Sequence, residues 1–146
     1  MSIISIIVSF PPLFLILHCL TIFLFKRWLG PIATFYGSIF TFSIVLALVI
    51  NELYFTLLTG SYYFIDFGRW FFCLDLIDSH LVFCMDTLSL VASALVLTLT
   101  MFALYFGVEY MYREAFINRL LYLLNLFATS VVFLFYCYDY FLILFC

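Results

Sequence analysis

The chain has 146 residues, of which 69% are hydrophobic and 9% charged, with a formal net charge of −3. An ordinary soluble domain carries roughly 25% charged residues, so too few are present here to cover a water-exposed surface, and a mean hydropathy of +1.33 points to lipid as the solvent. The acidic balance leaves no basic patch for nucleic acid.

Residues 3–25 are almost unbroken apolar and long enough to cross about 30 Å of hydrocarbon. Pro11 and Pro12 lie inside the run and are expected to kink or restart the helix. The run lacks a basic leading segment and a small-residue cleavage site, so it reads as a span and not a removable signal peptide. Lys26 and Arg27 close it. A second span is expected over residues 31–50, with Pro31 suited to a first helical turn and Asn51 and Glu52 marking the exit.

Residues 51–80 differ. Short aromatic stretches are broken by Asp66, Gly68, Arg69, Asp75 and Asp78, leaving no charge-free run of about 18 residues. They read as an acidic, aromatic β-hairpin-like loop at the membrane surface, with Trp70 and the tyrosines in the interfacial belt. His80 belongs to the solvated exit of that loop. Further spans are expected over residues 81–106 and 120–136, and residues 138–146 begin a partial fifth. Asp139 suits the N-cap of that last run. The fold class is therefore an all-α membrane protein: four transmembrane helices plus half of a fifth, with a surface hairpin between helices 2 and 3.

Four of the five basic residues, Lys26, Arg27, Arg113 and Arg119, fall in two connectors that alternating spans place on one side. The positive-inside rule assigns that side to the cytoplasm or matrix, and the acidic hairpin and the N-terminus to the other. The abundance of Phe, Tyr, Ile and Leu, with only five Gly, suits an AT-rich organellar coding sequence. The five cysteines show no metal-ligand spacing; Cys73 and Cys84 flank the loop and could pair.

Two residues carry a possible proton role. Asp86 lies a few residues into the third span, either on a proton path or as a carboxylate favoured by the helix N-terminus. His18, within the first span, is either a relay or a packed histidine. In the connector, Glu109, Arg113, Glu114 and Arg119 can form ion pairs, Glu109 with Arg113 at helical spacing, or simply set topology. The aromatic stripes read as lipid-facing surface and not as a quinone site. No phosphate loop, nucleophile–base pair or metal cluster is present in the sequence.

The stretch LVFCMDTLSL, residues 81–90, resembles the entry to the third helix of antiporter-like subunit 5 of respiratory NADH dehydrogenase, with Asp86, Leu88 and Ser89 in the family's pattern. Tyr105, Tyr110 and Met111 follow in order, then Arg119 and the Leu126–Phe127 pair, then a short turn at Tyr138 and Asp139. The likeness covers residues 81–146, and the aromatic loop before it is similar to the family's loop after its second helix. The family's subunit continues with a Trp-Glu pair on its fifth helix and with the Lys and His residues of the proton path. The sequence here stops before that pair.

The resemblance implies the N-terminal fragment of a split subunit in the proton-pumping NADH:ubiquinone oxidoreductase of the mitochondrial inner membrane. It implies a second chain completing the subunit from mid-helix 5 onward, and other membrane-arm subunits of complex I as neighbours. It also implies no catalytic centre in this chain; flavin, iron–sulfur clusters and ubiquinone would lie in other subunits. A fragment of a multisubunit cation/proton antiporter, and a structural accessory membrane subunit, are the alternatives.

Overall fold

The computed structural model describes residues 11–25, 30–60, 62–73, 77–111, 116–138 and 143–144. Among them are four helices, α1 (Pro11–Phe25), α2 (Pro31–Thr59), α3 (Thr87–Met111) and α4 (Ile117–Tyr136), and one hairpin, β1 (Tyr63–Cys73) with β2 (Ile77–Met85), between α2 and α3. Helices α2, α3 and α4 are long and apolar enough to cross a membrane. The described part of α1 is apolar but shorter, at 15 residues.

Each long helix buries one narrow stripe. In α3 the buried positions are Leu90, Ser93, Leu97, Thr100 and Leu104, and in α2 they include Ser38, Phe42, Val45 and Val49. The alternating three- and four-residue spacing is that of left-handed helix packing. Only 28–33% of each span is buried inside the bundle, so large side chains such as Leu57, Phe102 and Phe127 point outward. In water such a surface would drive aggregation; lipid tails solvate it. Helices α2 and α4 each pack against all three others, and α1 and α3 fill the two flanks of that central pair.

The helix ends correct several sequence expectations. Helix α2 does not exit at Asn51 and Glu52 but continues to Thr59. A charged residue near the interface does not stop a helix, whereas Gly60 does: it adopts φ 62° and its N–H returns to the Thr56 carbonyl at 2.8 Å, an αL cap that glycine reaches without strain. The third span begins at Thr87, not at residue 81, and runs past residue 106 to Met111. Residues 81–85 belong to β2, where Phe83 and Met85 are buried while Val82 and Cys84 are half-buried, the period-two alternation of a strand. The paired prolines lie in the first turn of α1 as described, where missing N–H groups cost little. The fourth span starts at Ile117.

The hairpin is antiparallel and irregular between Asp66 and Phe71. Gly68 sits there at φ 98°, and its N–H is held by the Asp66 carboxylate at 2.8 Å. The register sets Cys73 opposite Ile77 and Cys84 opposite Phe64, placing the two cysteines about 24 Å apart along the strands. A Cys73–Cys84 disulfide cannot form across that distance, and Cys84 is a free thiol.

Immediately beyond α4, Cys137 and Tyr138 are extended, and residues 143–144 of the expected partial fifth span are helical. Cys137 bridges Phe83 in antiparallel sense, and the Tyr138 N–H donates to the Val82 carbonyl at 3.1 Å. Phe83 stacks edge-on against Phe133 at 5.2 Å, and Phe64 against Tyr138 at 5.3 Å, seating the hairpin base on the end of the bundle. Most of the partial fifth span, with Asp139, lies outside the described residues.

Candidate functional site: a neutral polar seam between the helices

The sequence places few polar side chains on the buried stripes, and the helices bring them together. Ser38 on α2 faces Asn125 on α4, and both are buried. The Asn125 amide donates to the Ser38 hydroxyl at 2.9 Å and to the Leu121 carbonyl, four residues back on its own helix, at 2.7 Å. The Ser38 Oγ–H points to the Thr34 carbonyl at 2.7 Å. Ser38 thus back-bonds to its own helix while accepting from Asn125 across the interface.

His18 of α1 reaches the same hydroxyl. Its Nε2 lies 3.4 Å from the Ser38 oxygen, much longer than the Ser38–Thr34 bond, and which of the two donates depends on the imidazole tautomer. The ring also passes close over Gly37, where an added Cβ would stand 3.7 Å from it. Alpha1 is thus tied to the central helix pair through His18.

The same arrangement recurs twice. Thr129 on α4 donates to the Asn125 carbonyl at 2.6 Å and lies 3.1 Å from the Cys19 thiol of α1. Ser93 on α3 donates to the Leu90 carbonyl at 2.9 Å and lies 3.1 Å from the Tyr136 hydroxyl. In each case a Ser or Thr closes onto its own helix and contacts a polar side chain across the interface. One acceptor in the seam, the buried Asn125 Oδ1, has no hydrogen-bond partner among the described residues.

Asp86 lies elsewhere. It is exposed at the N-terminus of α3. Its carboxylate accepts from the Thr87 N–H at 2.7 Å, its own N–H donates to the Ser89 hydroxyl at 3.0 Å, and Ser89 Oγ–H returns to the Asp86 carbonyl at 2.7 Å. This is a local capping arrangement. Its charge also acts on Cys84: burial first, and the Asp86 carboxylate second, push that thiol above its ordinary 9.0.

Glu109 is exposed in the last turns of α3, and Arg119 is exposed in the first turn of α4. Arg113 and Glu114, and with them the expected Glu109–Arg113 pair, lie outside the described residues. Glu52 is half-buried on α2. Ser38, Asn125, Thr129, Ser93 and Tyr136 were not singled out from the sequence. An Asn inside an apolar run was the available signal, since amides at membrane depth seek a partner on another helix.

Among the described residues no group of three His, Cys, Asp or Glu could hold a metal ion. The seam's groups are neutral hydroxyl, amide, thiol and imidazole, suited to holding helices in register. Comparison with protein-family models and with curated proteins gives no match for this sequence.

Proposed function

We propose that this chain is the N-terminal part of the distal antiporter-like subunit of a proton-pumping NADH:ubiquinone oxidoreductase, scaffolding the membrane arm. The ordered residues from Asp86 to Tyr138 support that reading by resemblance. The observation that carries the scaffolding role is the neutral seam. Its cross-helix partners are Ser38, Asn125, Thr129, Ser93 and Tyr136, and none is a carboxylate or a basic side chain other than imidazole. Such a bundle packs beside a charged path instead of forming one. In this role it shields the path's flank from lipid, while the hairpin covers one end. The charged residues of the path, flavin, iron–sulfur clusters and ubiquinone then belong to other polypeptides of the complex in the mitochondrial inner membrane.

Mass spectrometry of the native membrane complex containing this chain tests the proposal. Flavin and iron–sulfur subunits in that assembly support it. An assembly without redox subunits overturns it. A structural accessory subunit is the second reading, favoured by Asp86 being satisfied as a helix cap.

A further inference from the structure

We propose that the groove between α2 and α3 retains an anionic phospholipid, with an acyl chain along its inner part and the phosphate at its outer end. Helices α2 and α3 pack directly against each other, and two hollows follow their contact. The inner hollow holds about 560 Å³, with Ile39 and Leu46 of α2 and Met101 and Phe102 of α3 among its walls. The outer one holds about 470 Å³, between Pro31 and Tyr36 of α2, Val108 of α3 and Ile117 of α4. They run end to end. Tyr36, Ile39 and Leu46 share one face of α2, and Met101, Tyr105 and Val108 share one face of α3, with Tyr36 and Val108 each one turn outside the inner hollow.

Polarity changes along the groove. The inner part exposes almost no polar surface, and its Thr98 hydroxyl donates back to the Leu95 carbonyl at 2.8 Å. The outer part is markedly more polar. A fitting occupant is therefore apolar along most of its length and polar at one end.

Length and charge choose it. Pro31 and Leu46 are 15 residues apart on α2, about 22 Å along the axis. One leaflet with its headgroup layer is about 20–22 Å deep, so the groove matches a single lipid in one leaflet. A helix of a neighbouring subunit or of a second copy is apolar across both leaflets and would leave the polarity step unmatched. The chain at the outer end carries Lys26, Arg27, Arg113 and Arg119 against Glu109 and Glu114. That net basic balance favours an anionic headgroup.

Photo-activatable analogues at Phe102 and Tyr36, each in the intact native assembly, test this. Phe102 is 63% exposed on the inner part, and Tyr36 is 66% exposed on the outer part. Phe127, 60% exposed on α4, is the control for bulk lipid. The assembly is washed with detergent, illuminated, and its adducts are read by mass spectrometry. The expected result is a phospholipid adduct that survives the wash at both groove positions and is lost at Phe127. It should join the acyl chain at Phe102 and the headgroup or glycerol at Tyr36. Anionic phospholipids should be enriched roughly fivefold over their share of the membrane extract, since one basic residue near the surface contributes about 1 kcal/mol. Equal loss at all three positions, capture of protein instead of lipid, or the headgroup composition of the bulk membrane overturns the inference.

Two variants guard against misassembly. Thr98→Phe fills the inner part from an exposed position and should cut the Phe102 adduct at least fivefold. Leu99→Phe adds a ring at the next position, 59% exposed and outside the groove walls, and should leave the adduct unchanged. An unchanged adduct in Thr98→Phe, or equal loss in both variants, overturns the inference. Neither readout depends on redox subunits, so failure here is separate from failure of the proposed function.

Discussion

The molecule has two polar regions built from similar residues, and they are held in opposite ways. At the entry to α3, Asp86, Thr87 and Ser89 satisfy one another within four consecutive residues, with Asp86 exposed and the other two half-buried. In the seam, His18, Ser38 and Asn125 come from three helices and meet far from water. The first region could form as soon as α3 forms. The second exists only once α1, α2 and α4 are packed, so it reports on the tertiary structure and not on any one helix. A polar residue near a helix end is explained locally; one at membrane depth needs a named partner on another element.

Substitutions should separate the two regions by size of effect. Tyr136 is the largest fully buried side chain, at 0% exposure. Tyr136→Ala should cost about 3 kcal/mol or more, from lost packing and the cavity left behind. Thermal unfolding in detergent checks this, and a melting point equal to wild type would show that the α3–α4 interface is not the core. Asn125→Ala should cost about 1–2 kcal/mol, because it removes the amide that joins α4 to Ser38 while also removing an oxygen without a partner among the described residues. Release of α1 and α2 to limited proteolysis is the readout, and unchanged protection argues against the seam.

Asp86→Ala should cost about 1 kcal/mol as a lost cap, and Asp86→Asn only a few tenths. In an intact pumping complex Asp86→Asn should pump normally; slowed pumping at normal assembly would return Asp86 to a proton path. The smallest effect concerns Cys84. Its raised value means that the folded chain holds the thiol proton more tightly than the unfolded chain does. The stability this contributes is fully present below the unfolded value and fades as pH rises through the folded one. At pH 8 Cys84 should alkylate more slowly than an unperturbed thiol, and Asp86→Asn should speed it. No change with Asp86→Asn would mean that burial alone sets the thiol.

Much of this architecture was legible in the sequence because lipid imposes length and apolarity on every span. The order of spans and the hairpin between the second and third came from that constraint. Helix ends were less legible. Glu52 looked like an exit, but backbone hydrogen bonds carry α2 to the αL turn at Gly60. Residues 81–85 looked like the start of a span because an apolar run alone does not distinguish strand from helix; the alternating burial of Phe83 and Met85 does. His18 and Asp86 were singled out for their charge, yet only one joins the seam. Its other members, Ser38 and Thr129, are common residues whose importance comes from which helix faces them, and one sequence does not state helix neighbours.

The short bridge from Cys137 to Phe83, with the Tyr138–Val82 bond beside it, has a mechanical consequence. Tension on the chain beyond Tyr138 would load β2 before it reached the last turn of α4. The hairpin then acts as a strain relief, fixing the exit direction of the backbone and insulating the Ser93–Tyr136 contact from whatever pulls on the following segment.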